Sequence, residues 1–252
     1  MFKSKFQTLF LEGILIVALI CLTSYSTASA EVLKQDTSLW INTSHHNSVT
    51  FKAGTNVTRR SDGSVSSGTL KQDTGLWINT SHNNSTAFQA GTVVQFRNDG
   101  SVSSGTLKQD TGLWINTSHN NSTAFQAGTA VNFRDDGSVS SGTLKQDTGL
   151  WINTSHNNST AFKAGTVVQF RNDGSVSSGT LKQDTGLWIN TSHNNSTAFK
   201  AGTVAKFRDD GSVSSGTLKQ DTSLWINSSH TKSATFRAGT IVNFRDDGSA
   251  IQ

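Results

Sequence analysis

Phe88-Gln89-Ala90-Gly91-Thr92-Val93-Val94-Gln95-Phe96-Arg97-Asn98-Asp99-Gly100-Ser101-Val102-Ser103-Ser104-Gly105-Thr106 reads as a chain turning back on itself. Val94, Phe96 and then Val102 alternate with polar or small residues, the period-two pattern of a half-buried strand. Asn98 and Asp99 favour a type I turn, and Gly100 can take the left-handed conformation that closes a short hairpin. Upstream the pattern recurs: Leu76 and Ile78 alternate with Trp77 and Asn79, and Thr86, Phe88 and Ala90 alternate with polar or small partners. Turn signals separate these runs at Ser81-His82-Asn83-Asn84, at Ala90-Gly91 and at Lys108-Gln109-Asp110-Thr111-Gly112. No segment carries an apolar stripe at helical spacing. The expectation is an all-β chain with no helix after residue 30 and four short strands, or two hairpins, in this segment.

The segment is one of six copies. Trp40, Trp77, Trp114, Trp151, Trp188 and Trp225 stand 37 residues apart, which divides the chain into units 33–69, 70–106, 107–143, 144–180, 181–217 and 218–252. A period of this length implies a solenoid, propeller or linear array. The four central units are nearly letter-for-letter copies, whereas the first has Arg59 where later units have Phe96 or Phe133. The last has Ser-Ser-His-Thr-Lys in place of Thr-Ser-His-Asn-Asn. Atypical end units read as caps, since one face of each lacks a neighbour. One unit offers eight sizeable apolar residues, Trp77 and Phe88 among them, too few to offset the ordering of 37 residues alone. Pairing with neighbouring units has to complete the fold.

Residues 1–30 differ from the rest. Lys3 and Lys5 precede a largely apolar run from Leu9 to Leu22, and Ala28-Ser29-Ala30 follows. This is the layout of a secretory signal peptide cleaved after Ala30, and the run is short for a retained anchor. The expected mature chain, 31–252, is secreted or surface-located (periplasmic in a Gram-negative cell without further export), and nothing after residue 30 could insert in a membrane. Loss of residues 1–30 removes the single Cys, Met and Tyr, so disulfides cannot supply stability. Removing Lys3, Lys5 and Glu12 leaves 19 basic against 16 acidic side chains, evenly spread. No cluster of Lys and Arg tracks phosphates, which disfavours nucleic acid as a partner.

The stretch from Phe88 to Leu107 resembles MORN-like hairpin repeats of bacterial exported proteins: an aromatic, a polar-Asn-Gly type of turn, and a second strand ending in Gly. The resemblance covers about half of each unit, and the Trp-Ile-Asn-Thr-Ser half departs from it. It implies an elongated antiparallel β-hairpin array or β-solenoid of six units. The alternative is a six-bladed β-propeller, which four strands per unit would also suit. The strands Ser85–Ala90 and Ser101–Thr106 are too polar on one side for blade-on-blade packing, which favours the array.

The six Trp are the candidate ligand-binding residues. Each lies between a Leu and an Ile in sequence, so it faces away from them; if those two are core, the Trp form a surface ladder suited to stacking on sugars. The competing reading packs each Trp on the unit next door. His45, His82, His119, His156, His193 and His230 recur at one position in every unit and read as polar turn residues, since a metal needs converging ligands. Asn98-Asp99-Gly100 and Asp135-Asp136-Gly137 lack the spaced acids of a calcium loop and read as turns. Asn79 and Asn84 head N-glycosylation sequons, which matter only in a eukaryotic secretory pathway. No nucleophile elbow, paired carboxylate or metal motif points to an enzyme, and no cofactor is implied. Two functions follow. One is an exported multivalent binding or adhesion protein recognising a surface glycan or polymer, with a propeller lectin as its variant. The other is a structural surface or matrix protein that spaces or self-associates through its end strands.

Overall fold

The Asn-Asp-Gly turn forms as a tight hairpin connection. Gly100 N–H donates to the Arg97 carbonyl at 3.0 Å and Arg97 N–H to the Ser101 carbonyl at 2.7 Å. Gly100 has φ +83°, which only glycine adopts without strain. The Asp99 carboxylate accepts the Ser101 N–H at 2.9 Å and its hydroxyl at 2.7 Å, so the acid shapes the turn. The strands Val93–Phe96 and Val102–Thr106 pair across it, with Val94, Phe96 and Val102 buried.

The computed structural model describes residues 29–44, 47–79, 84–116, 121–153, 158–190 and 195–251. The expected signal segment lies mainly outside the described residues; its cleavage point after Ala30 falls within the strand Ser29–Val32. Every regular element among the described residues is a β-strand, and no helix is long and apolar enough to cross a membrane.

The strands sort into two layers. The two strands after each Ala-Gly turn join those of the neighbouring units in one antiparallel sheet of 13 strands, edged by Ser29–Val32 and Ala250–Ile251. The Trp-bearing strands form six separate two-stranded hairpins, such as Thr74–Asn79 with Asn84–Phe88. Four strands per unit and the elongated array are as expected. A propeller does not form, because its blades would each be a four-stranded sheet, whereas here one sheet runs unbroken through all units.

Phe88 fastens the layers together. Its ring is fully buried and lies over Gly105 of the sheet, where a β-carbon would come within 2.5 Å of the Phe88 ring. Phe133 of the next unit meets it edge-on, with ring centroids 6.3 Å apart, and the contact recurs from Phe51–Phe96 to Phe199–Phe244. Among the described residues no ring precedes the first unit for its equivalent residue to meet. Arg59 occupies that place and pairs with Glu31 of the edge strand at 2.7 Å. At the other end Phe236 has no following partner and stays only half-buried. The seat is therefore filled differently in the first and last units.

One alternation breaks. A register shift between Trp77 and Asn79 places Ile78 and Asn79 both inward, so Asn79 does not share the Trp77 face as period two requires. Its amide donates to the Asp135 carbonyl of the next unit at 3.2 Å. Gly137 fits against it, since a β-carbon there would lie 2.7 Å from Asn79 Cβ. The sequon at Asn79 is thus closed to modification in the folded chain.

Two glycines separate packing from propensity. Gly105→Ala is expected to destabilise by about 1–3 kcal/mol through overpacking against Phe88. Gly112→Ala, where a β-carbon meets nothing within 4 Å, should change stability by less than about 1 kcal/mol and in the favourable direction. Urea midpoints of the two variants against wild type check the contrast.

Candidate functional site

Strand direction decides where the Trp point. In Thr74–Asn79, Leu76 and Ile78 are buried against the long sheet, and Trp77 projects from the opposite face. Five of the six Trp are more than a third exposed, from 37 % for Trp151 and Trp188 to 47 % for Trp40, and Trp114 is half-buried. The Trp are surface residues rather than core. More than half of the surface of each of those five residues is nonetheless covered.

Trp77 and Trp114 each line a cleft between successive hairpins. At their bases the hairpins are tied: Lys71 N–H donates to the Thr50 carbonyl at 3.0 Å, Lys52 N–H to the Thr69 carbonyl at 2.9 Å, and Phe51 bridges Leu70. Beyond that point no ladder joins them among the described residues, and each remains its own two-stranded sheet. The gap between the first and second is a cleft of about 280 Å³. Trp77 and Gly75 line one side, Asn47, Ser48 and Val49 the other, and the buried Ile41, Leu76 and Gly100 lie at its base. An equivalent cleft of about 220 Å³ holds Trp114 and Gly112 with Asn84 and Ser85 of the preceding unit. None of the described residues lining either cleft is charged. An indole face beside amide and hydroxyl groups, without charge, can stack on an apolar ring face and bond to neutral hydroxyls.

The Asn-Asp-Gly turns form a second row. Arg171 Nε pairs with Asp209 of the next unit at 2.7 Å, Nη1 donates to the Val176 carbonyl at 2.7 Å, and Nη2 donates to the Phe207 carbonyl. Arg97 and Arg208 repeat the pattern with Asp135 and Asp246, and Arg134 with Asn172. Burial pulls the Arg134 pKa down from the ordinary guanidinium range, yet arginine stays charged. These cations are committed to the next unit rather than to a ligand. Asp136 and Asp173 accept the N–H and hydroxyl of Ser138 and Ser175, as turn residues do. Among the described residues no three His, Cys, Asp or Glu gather as a metal site.

Of the six turn histidines, only His230 falls within the described residues, where it stacks on Trp225 with centroids 6.0 Å apart and planes 23° apart. His45, His82, His119, His156 and His193 lie outside them, as does most of the Ser81–Asn84 turn.

The small residues beside each Trp escaped the sequence reading. Gly75 shares the Trp77 face and pairs with Ala87, while Trp77 pairs with Ser85. The signal was available: Gly75, Gly112, Gly149 and Gly186 become Ser38 and Ser223 in the end units alone. Comparison with protein-family models finds no match, and comparison with curated proteins finds none either.

A third row pairs lysine with aspartate across units. Lys108 Nζ lies 2.6 Å from Asp73 and Lys145 Nζ 2.5 Å from Asp110. These lysines, and then the N–H groups of Ala90 and Ala127, hold the two carboxyls below their ordinary value of 3.8. At Asp36, Asp147 and Asp184 the backbone N–H acts first and the lysine second. Hydroxyls of Ser228 and Ser249 bring Asp247 to about 2. A carboxylate whose pKa is lowered by folding stabilises above its unfolded value, and that contribution disappears as pH falls through the folded value. The urea midpoint is therefore expected to be insensitive to pH from about 5 to 7 and to fall below about pH 4. Replacing Asp73 and Asp110 by Asn should flatten that fall, as midpoints measured from pH 2 to 7 will show.

Proposed function

We propose that this is an exported, multivalent binding protein whose Trp-walled clefts hold successive segments of a surface glycan or other repetitive neutral polymer. The observation that carries the reading is the repeated indole, held outward beside amides and hydroxyls on a scaffold whose hydrophobic needs are met elsewhere. Nothing in the packing of Leu76, Ile78 and Phe88 requires a large aromatic on the opposite face. Weak stacking at one cleft gains avidity when several clefts engage one chain, because later contacts are intramolecular. A kinship with MORN-like repeats of exported proteins fits the same reading, since that half of the unit supplies the long sheet. No catalytic role is assigned.

The structural reading, a surface or matrix spacer, draws on a different observation: the Arg, Asn and Lys–Asp rows brace each unit against the next. Self-association through the edge strands belongs to it, although edges as short as Ser29–Val32 and Ala250–Ile251 are poor templates.

A glycan array probed with intact protein and with the Trp114→Ala, Trp151→Ala double variant separates the two. The expected result is binding by wild type and loss of at least about tenfold in the variant, with folding retained. Absence of binding by the intact protein favours the spacer. Unfolding of the variant would place the indoles in the stability of the fold.

A further inference from the structure

The clefts are not equivalent along the chain, and their differences follow the array ends. In the four internal units the residue two before the Trp is Gly75, Gly112, Gly149 or Gly186, and its cross-strand partner is Ala87, Ala124, Ala161 or Ala198. A β-carbon on any of these four glycines would meet nothing within 4 Å, so neither packing nor a positive φ requires glycine there. In the end units serine faces threonine instead: Ser38 pairs with Thr50, their hydroxyls 3.1 Å apart, and Ser223 pairs with Thr235. Trp40 also has no preceding hairpin among the described residues to form a second wall, and Trp225 carries His230 on one ring face. The surface beside the indole is kept clear in the four internal units and carries hydroxyl side chains in the two end units.

Two further features restrict what fits. The lining of the described clefts is uncharged, which suits neither an anionic polymer nor a cationic one. Each unit adds two strands to the long sheet, so successive clefts are set about 9.6 Å apart at the sheet. An extended β-1,4-linked hexose chain repeats every two sugars over nearly this length. Alternate rings in such a chain are turned over, so every second ring presents the same face and each cleft meets an identical surface. An α-1,4-linked chain curls and cannot keep that phase.

We infer that Trp77, Trp114, Trp151 and Trp188, each with its adjacent Gly and Ala, form four operative subsites for one unbranched, neutral β-1,4-linked polysaccharide running across the hairpins. The inference rests on the glycan-binding reading and adds the linkage, the number of subsites and the glycine that opens each. Asn and Ser from the preceding hairpin supply hydrogen bonds to ring hydroxyls, and Trp40 and Trp225 contribute little.

The test uses the full chain and co-sedimentation with insoluble cellulose and chitin, alongside amylose and dextran. Wild type is expected to bind cellulose or chitin and to leave amylose and dextran in solution. Gly112→Gln with Gly149→Gln places side chains in two clefts without touching the core. Its binding should weaken by at least about tenfold at an unchanged thermal midpoint. Gln169→Ala, on the far face of the long sheet, should bind as wild type. Undiminished binding by the glutamine variant overturns the assignment of the clefts. Preference for amylose or dextran overturns the linkage while leaving glycan binding in place. Failure to bind any of the four, with no signal on a broad glycan array, overturns this inference and the parent reading together. Should the glutamine variant lose its thermal midpoint, Trp40→Ala and Trp114→Ala compared singly decide the matter: equal losses overturn the internal-subsite assignment, and a loss at Trp114 alone supports it.

Discussion

The ring of Phe88 lies where Gly105 has no β-carbon, and Phe133 of the following unit closes its edge. This one seat joins hairpin to sheet and unit to unit, because neither layer can bury the ring alone. A single unit would leave the Phe edge open to water, as Phe236 shows at the end of the chain. The same dependence explains why the copies are so alike. Phe88 meets Gly105 of its own unit and Phe133 of the next, so a change of size at one of these positions has to be matched within the unit and in its neighbour.

Polar groups then set the alignment that the rings permit. The Asn79 amide reaches the turn of the next unit, and the Arg97 guanidinium satisfies a carbonyl in its own turn and another in the next. Such part-buried bonds are costly to leave unmade, so they penalise any slip between units more than they add to stability in the correct register. Lys108 and Asp73 lie on the exterior and contribute less, since water screens exposed pairs. Together these rows replace the disulfides that a chain with a single Cys cannot form.

The clefts are a by-product of the same arrangement. Backbone bonds and the Phe51–Leu70 bridge tie neighbouring hairpins at their bases, and no described residue continues the ladder outward. A wedge opens at the first two junctions, with Trp77 and Trp114 on their walls. Repetition multiplies a shallow site into a row, and weak stacking becomes useful only in that number.

The sequence alone determined the period, the two hairpins per unit, the glycine turns and the atypical ends, because alternation and turn chemistry are local properties of the chain. It also placed Trp77 opposite Leu76 and Ile78. It could not show which side of that strand faced the core, nor that a bulge turns Asn79 inward, because both depend on a second layer packed against the hairpin. The roles of Arg97 and Gly105 were equally hidden: one reaches a carbonyl 36 residues away, and the other is a glycine for the sake of a ring in another strand. Whether four strands close into a blade or divide between a continuous sheet and a row of hairpins was decided by tertiary structure. Local patterns specify strands, and only the burial of Phe88 between units specifies which strands become neighbours.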